Sequence, residues 1–159
     1  MKQSEEDTDM ADREPKGKGM PWLTPTIVLK DVKNSMAFYE EAFGFKTRFT
    51  MPDKSGKIMH AEMAYKDQSI MMGPEYPDHN MHSVSKLNGS PVGFYLYTEN
   101  VDEFCKKAKA AGANVIQEPT DQFWGDRTCT VTCPEGYRWS FAQNVADFDP
   151  SKSPFDVET

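Results

Sequence analysis

The stretch Gln122–Gln143, QFWGDRTCTVTCPEGYRWSFAQ, reads as an aromatic loop followed by two segments of alternating polarity. Polar residues occupy every second position of both segments: Thr128, Thr130, Thr132, Arg138 and Ser140. The residues between them are apolar: Cys129, Val131, Cys133, Trp139 and Phe141. A period of two around a Pro-Glu-Gly turn indicates an antiparallel hairpin with one face packed on helices. The opposite, polar face then needs water or a ligand.

Composition limits the classes of function. The chain has 159 residues, is 38% hydrophobic and carries a formal charge of −7, so it can bury one ordinary core. Both tails are acidic, and the absence of a basic stripe argues against nucleic acid and anionic membrane as partners. No apolar run is long enough to span a membrane. Its three cysteines do not form a disulfide framework, which favours a reducing, cytoplasmic compartment.

The order of predicted elements divides the chain into two similar halves. We expect a disordered extension at 1–20, a first module at 21–72 and a linker or lid loop at 73–91. A second module at 92–146 and an acidic tail at 147–159 complete the chain. The first module reads as strand, amphipathic helix and three strands, with the first strand in WLTPTIVLK from Trp22.

The second module repeats this order. The pairs Val32/Val101, Gly44/Gly112 and Pro52/Pro119 are 67 to 69 residues apart, which indicates duplication of a whole βαβββ unit. We therefore predict an α+β fold in which paired βαβββ modules form an open, cleft-bearing β-barrel. The polar strand faces would line the shared cleft.

These residues carry a family resemblance. The segments AFYEEAFGF (37–45), MHAEM (59–63), NVDEFCKKAKAAGANV (100–115), QFWGDR (122–127) and CPEGYRWSFA (133–142) resemble the vicinal oxygen chelate superfamily. That superfamily includes glyoxalase I, bleomycin-resistance proteins and extradiol dioxygenases. The FWGDR and PEGYRW pieces look closest to its uncharacterised, phosphonate-utilisation-associated branch. The resemblance implies a ligand cavity and a homodimer, but not one particular reaction.

The resemblance also implies where a divalent metal would be held. Enzymes of the superfamily use one side chain on each of four cavity strands, and those positions fall here on Thr24, Met71, Gly93 and Ser140. None is a good donor for such an ion. We therefore assign no cofactor. Glu62, on a neighbouring strand, is kept as a candidate ligand for a divalent metal.

His60 and Glu62 are the candidate catalytic residues. Residues two apart on a strand share a face, so an imidazole and a carboxylate could converge on one proton or one ion. The alternative is a structural contact, in which Glu62 orients His60 or pairs with Arg127 or Arg138.

The candidate ligand-binding residues lie on the polar faces and in the aromatic loop: Thr24, Tyr95, Tyr97, Trp124, Asp126, Arg127 and Ser140. Gly125 permits a close backbone approach, and Arg127 offers a fork for a carboxylate or phosphate. The alternative is structural, with Trp124 packing the barrel end and Asp126 paired with Arg127.

Two functions follow. The first is a bleomycin-resistance-like protein that binds a small organic ligand between the modules, without the family's metal site. The alternative is a glyoxalase-like lyase or isomerase that uses His60 or Glu62 as base or metal ligand. Whether the protein is an enzyme stays open from the sequence.

Overall fold

A computed structural model describes residues 14–158. The first module contains β1 (Thr26–Leu29), α1 (Val32–Phe43), β2 (Lys46–Pro52), β3 (Ile58–Tyr65) and β4 (Gln68–Pro74). The second contains β5 (Gly93–Tyr97), α2 (Val101–Ala110), β6 (Asn114–Asp121), β7 (Asp126–Thr132) and β8 (Arg138–Asn144). Short 3-10 helices lie at Pro77–His79, Val84–Lys86 and Pro150–Lys152.

The helix boundaries follow from local chemistry. Asp31 caps α1 by accepting a hydrogen bond from the Asn34 amide, and the left-handed Gly44 (φ 73°) ends the helix. Asn100 caps α2 in the same way, with its side chain accepting from the Glu103 amide.

Each module forms its own mixed sheet. The strand orders are β1-β4-β3-β2 and β5-β8-β7-β6, with the outer pairs β1/β4 and β5/β8 parallel and the remaining pairs antiparallel. The predicted α+β fold with paired βαβββ modules is confirmed. No ladder joins the two sheets within the described residues, so they stand side by side and do not close a barrel.

One core unites the modules on the helix side of both sheets. The rings of Phe43 on α1 and Phe141 on β8 lie 4.8 Å apart, and those of Phe104 on α2 and Phe141 lie 4.2 Å apart. Tyr39 on α1 also meets Trp139 edge-on at 5.5 Å. The residues predicted to face the helices are therefore in this core. We call the opposite side of each sheet its open face.

Two predictions about the N-terminal part need qualification. The first strand begins at Thr26, so the expected extension of that strand back to Trp22 is wrong; Pro25 directly precedes the start. The predicted disordered extension lies outside the described residues for 1–13. Within the described part, the Met20 amide donates to the Gly17 carbonyl at 3.0 Å, which forms a turn.

Candidate functional site

A buried carboxylate organises the open face of the second sheet. Asp126 is 3% exposed, and its Oδ2 accepts hydrogen bonds from the hydroxyls of Tyr95 at 2.7 Å and Tyr97 at 2.8 Å. Asn144 Nδ2 donates to Oδ1 at 3.1 Å. Because β8 lies between β5 and β7, both tyrosine side chains cross β8 to reach Asp126. We call Tyr95, Tyr97, Trp124 and Asp126 the aromatic cluster.

The cluster is fixed but accessible. Trp124 Nε1 donates to the Tyr95 hydroxyl at 3.2 Å, which adds a third ring to the arrangement. Tyr95, Tyr97 and Trp124 nevertheless remain 47%, 55% and 37% exposed. Their hydroxyl and indole N–H groups are hydrogen-bonded within the cluster, so the surface that they expose to solvent is mainly that of the rings.

The pKa values in the cluster reflect these contacts. Burial of the hydroxyl and its hydrogen bond to Asp126 raise the pKa of Tyr95 to about 12. The hydrogen bond to Asp126 also raises the pKa of Tyr97. Burial acts to raise the pKa of Asp126, but the hydrogen bonds that it accepts outweigh burial and lower it. The group is therefore a charged acceptor with two neutral phenol donors.

Gly125 has a structural reason for being glycine. Its φ is +97°, and a side chain there would collide with the Ala146 carbonyl. The amides of Val145 and Ala146 donate to the Gly125 carbonyl at 2.9 and 3.0 Å. The close approach that the sequence suggested for a ligand is made by the chain that follows β8.

Arg127 lies on the other side of its strand. Its guanidinium donates to both carboxylate oxygens of Asp102 on α2, at 2.9 and 3.0 Å, and to Asp121 on β6 at 2.8 Å. These hydrogen bonds raise the pKa of Arg127. The Arg127 guanidinium, which we expected to bind a carboxylate or phosphate of a ligand, is thus bonded to two aspartates on the helix side of the sheet. The alternative pairing of Asp126 with Arg127 is also wrong, because neighbouring residues on a strand face opposite ways.

The open face of the first sheet carries a buried ion pair. Glu62 on β3 is 2% exposed, and its Oε1 lies 2.7 Å from Arg48 Nη1 on β2. Neither Arg127 nor Arg138 is the partner of Glu62. A β-bulge between Thr47 and Phe49 turns Arg48 toward Glu62. Arg48 Nη1 donates to Ser69 Oγ at 3.0 Å and to the Gly19 carbonyl at 3.3 Å.

His60 and Glu62 share the open face, as predicted, without contacting each other. No hydrogen bond joins the His60 and Glu62 side chains in the part of the chain that the structure describes. The His60 ring lies 5.7 Å from the Phe49 ring, and Phe49 stands opposite Glu62 in the β2/β3 register. The imidazole and the carboxylate therefore do not converge: Glu62 pairs with Arg48, and the His60 ring lies beside Phe49.

The remaining candidate residues, Ser140 and Thr24, are half-buried and contribute little to a binding site. Ser140 is half-buried and shares a hydrogen bond with Thr130 at 3.1 Å. Thr24 is half-buried and precedes β1. The residue that stands beside Met71 is Thr26, whose hydroxyl lies 3.8 Å from the Met71 sulfur.

The residues at the strand positions of the family's metal site do not fit a catalytic divalent ion. Met71 and Ser140 stand beside Thr26 and Tyr95, and not beside the expected Thr24 and Gly93: Thr24 precedes β1, and Gly93 pairs with Arg138. Hydroxyls and a thioether lack the imidazole, thiolate and carboxylate donors that such a site uses. Among residues 14–158, no three His, Cys, Asp or Glu side chains come together as a metal site.

Both modules contribute to a cavity beside these open faces. A space of about 130 Å³ lies between the sheets, and its lining includes Ser69 of the ion-pair site and Tyr95 of the aromatic cluster. A second groove, of about 350 Å³, is lined by the β3–β4 turn and by Tyr95 and Tyr97. Ser69 borders the first space, the rings of Tyr95 and Tyr97 border the second, and Tyr95 lines both.

The cysteines take no part in this surface. Cys105, Cys129 and Cys133 are free and buried. Burial raises the pKa of the Cys105 and Cys129 thiols, and neutral thiols are poor nucleophiles.

Sequence reasoning missed three residues of the site. Asn144 continues the every-second-residue pattern of Ser140, so extending that pattern would have found it. Ser69 lies two residues before Met71 on β4, so the same alternation would have placed its side chain on the open face. Arg48 gave no such indication, because its direction depends on a bulge.

The fold and the open faces define a class of paired βαβββ proteins, and comparison with known proteins identifies the family. A model of the Glyoxalase/Bleomycin resistance protein/Dioxygenase superfamily matches residues 20–141. The chain belongs to this superfamily. The narrower likeness to the phosphonate-associated branch stays a prediction.

Relatives and solved structures agree with this assignment. The chain is 32% identical over 130 residues to the uncharacterized protein Mb0911c of Mycobacterium bovis, which covers 80% of this chain and 86% of that protein. TioX from Micromonospora sp. ML1 superposes with a TM-score of 0.63 at 22% identity, covering 77% of this chain and 98% of TioX. TnmS3 from Streptomyces sp. CB03234, described as an antibiotic binding protein, gives 0.59 at 22% identity, covering 76% and 93%.

Membrane insertion through a helix finds no support. Neither helix between residues 14 and 158 has the length and apolar character needed to cross a bilayer.

Proposed function

We propose that this protein binds a small organic molecule with an aromatic ring at the open faces of its two modules. One observation carries the proposal: three aromatic side chains are held by hydrogen bonds around a buried carboxylate and still expose 37% to 55% of their surface. Exposed rings in a fixed arrangement bind a planar ligand at low entropic cost. Binding of this kind uses ring contacts and hydrogen bonds and draws on no metal.

The comparisons support a binding role. TnmS3, which shares the fold, is described as an antibiotic binding protein. Its identity to this chain is too low to transfer a ligand. The support is that the paired-module scaffold serves binding in a protein of this fold.

A homodimer is the second part of the proposal. Several large apolar side chains of the first module are exposed, among them Trp22 at 78% and Leu23 at 81%. Strand β2 is an edge strand whose residues are all exposed, and a second copy is a natural cover for such an edge.

The test is a titration with 4-nitrobenzyl alcohol, a neutral aromatic probe, monitored by calorimetry. Cyclohexylmethanol serves as a ligand of similar size without a ring. We expect saturable binding of the aromatic probe and at least about tenfold weaker binding of the saturated one. Equal affinity for the two would contradict ring recognition.

Matched tryptophan variants locate the binding surface. Trp124→Leu removes a ring of the aromatic cluster, and we expect it to weaken binding about three- to tenfold. Trp22→Leu removes an exposed tryptophan outside the cluster and serves as the control. An equal effect of both substitutions would place the ligand elsewhere.

The alternative, a glyoxalase-like lyase or isomerase, is tested on the same protein. Turnover of a hemithioacetal that disappears in His60→Ala and Glu62→Gln would establish it. No turnover, together with saturable binding of the aromatic probe, leaves the binding function alone.

A further inference from the structure

The negative charge within the aromatic cluster has no cation to balance it. Asp126 is 3% exposed, and its hydrogen-bond donors among residues 14–158 are neutral: two phenols and the Asn144 amide. Arg127, the next residue, donates to Asp102 and Asp121 instead. The hydrogen bonds to Asp126 lower its pKa, so the carboxylate is ionised at neutral pH. A full negative charge therefore lies next to exposed rings.

This charge acts on the rings of Tyr95 and Tyr97. Both phenols donate to the Asp126 carboxylate, at 2.7 and 2.8 Å, and this hydrogen bond makes each ring richer in electrons. The face of a tyrosine ring already attracts cations through its quadrupole. Because Asp126 is buried, solvent screens its field only weakly. Both effects favour a positive charge over the exposed rings.

A groove gives a ligand access to these two rings. Tyr95 and Tyr97 line the space of about 350 Å³ between the modules and are 47% and 55% exposed, so a molecule from solvent can reach them. The opposite wall is the β3–β4 turn of the first module. Small-molecule sites typically have volumes of roughly 300 to 1,000 Å³, so the groove is large enough for a single-ring ligand.

The charged side chains of the groove also favour a cation. Lys66 and Asp67 line it, and Lys66 Nζ is paired with Glu99 Oε1 at 3.1 Å. Since Glu99 matches the charge of Lys66, the charges of Asp67 and Asp126 remain without a cationic partner among the described residues. Lys66 Nζ lies 5.9 Å from the centre of the Tyr65 ring, so one ammonium group is already held over a tyrosine at this place.

We propose that the aromatic cluster selects ligands in which an ammonium group is attached to the aromatic ring through a short linker. The ammonium group lies over Tyr95 or Tyr97 in the groove, and the ligand's ring packs on the remaining ring surface of the cluster. A carboxylate in the same place is repelled by Asp67 and Asp126, and a neutral group lacks the attraction. The inference rests on the proposed binding function and narrows its ligand class to arylalkyl ammonium compounds.

The test compares three probes that share one ring and differ in charge: 4-nitrobenzylamine, 4-nitrobenzyl alcohol and 4-nitrobenzoate. Calorimetry at pH 7 and low salt measures their affinities. We expect the protonated amine to bind at least about fivefold more tightly than the neutral alcohol, which is the size of effect that a cation over partly exposed rings produces. The benzoate should bind most weakly, and high salt should reduce the advantage of the amine.

Two variants should change this preference in opposite directions. Asp126→Asn removes the negative charge, and we expect the advantage of the amine to fall to about twofold or less. Lys66→Met removes the competing ammonium group and frees Glu99, so it should strengthen binding of the amine and leave that of the alcohol unchanged. A general loss of structure cannot produce both results, and Lys66→Met remains decisive if Asp126→Asn does not fold.

Matched controls and circular dichroism support the comparison. Asp156→Asn and Lys54→Met change the same charges at exposed positions outside the groove and should keep the wild-type ranking. Circular dichroism establishes that each variant is folded. Benzoate binding as tightly as the amine, or an amine advantage that a folded Asp126→Asn protein keeps in full, overturns the charge selection. So does a Lys66→Met protein that binds the amine no better than the wild type.

These outcomes are distinguishable from failure of the proposed function. If 4-nitrobenzyl alcohol binds in a Trp124-dependent way while the three probes bind alike, the aromatic surface stands and the charge selection falls. If none of the aromatic probes binds, both proposals fall.

Discussion

Asp126 shows how a single side chain fixes a surface. Its carboxylate replaces lost hydration with two phenol donors and one amide donor. The tyrosine hydroxyls are thereby consumed inside the protein, and the rings lie across β8. The exposed ring surface is a consequence of satisfying one buried charge.

The first prediction concerns Asp126→Asn. The substitution removes a charged acceptor and places an amide N–H₂ among donors, so we expect a loss of about 2 kcal/mol in the free energy of unfolding at pH 7. Since folding lowers the pKa of Asp126 from its ordinary 3.8, its contribution is present above that value and lost as pH falls. The difference between the two proteins should shrink below about pH 4.

Urea unfolding at pH 7 and pH 3 measures this difference. Asp156→Asn, at an exposed position of the C-terminal segment, is the control and should match the wild type at both values. A wild-type advantage of equal size at pH 3 would show that Asp126 acts through packing and not through its charge.

At the scale of elements, hydrogen bonds from the β7–β8 turn link the two modules at the outer edge of β1, and a tyrosine makes two of them. The Tyr137 hydroxyl, just before β8, donates to the Val28 carbonyl at 2.9 Å and accepts from the Val28 amide at 3.2 Å. Glu135 continues this edge by accepting from the Lys30 and Asp31 amides at 2.8 and 2.9 Å. The β7–β8 turn therefore satisfies backbone groups that a neighbouring strand would otherwise pair.

The second prediction follows from this contact. Tyr137→Phe removes the hydroxyl and leaves the Val28 amide and carbonyl without their partner, so we expect a loss of about 1 to 2 kcal/mol in the free energy of unfolding. Amide hydrogen exchange at Val28 should also become faster, while exchange within β7 stays slow. Tyr65→Phe is the matched control, because the Tyr65 hydroxyl has no hydrogen-bond partner among the described residues. Unchanged exchange at Val28 would contradict the linking role.

The predictability of these elements depended on how regular they are. The alternation in β7 and β8 correctly separated the core from the open face. Extended one residue back from Thr128, the same alternation places Arg127 on the helix side. The direction of Arg48 could not be predicted in this way, because a bulge breaks the period of two. The Asp126 cluster likewise joins residues from three segments that only the folded sheet brings together.

The paired modules as a whole leave apolar surface exposed, and this is the basis of the third prediction. Leu23 and Met51 in the first module expose 81% and 57% of their surface. We expect wild-type protein to sediment as a dimer at micromolar concentration. The double substitution Leu23→Ser and Met51→Ser should weaken the dimer at least about tenfold, since each buried apolar side chain contributes about 1.5 kcal/mol or more.

The matched control for this prediction lies in the second module. Ile116 and Val145 are 51% and 49% exposed, so replacing both with serine removes comparable apolar surface from the other sheet. Analytical ultracentrifugation of the three proteins over a range of concentrations separates a specific interface from general hydrophobic association. If both double variants dissociate alike, association is not confined to the first module. A wild-type protein that stays monomeric throughout would show that the apolar side chains near β1 and β2 do not hold a second copy, and binding of the aromatic probe to the Leu23→Ser/Met51→Ser protein would then test whether they contact ligand instead.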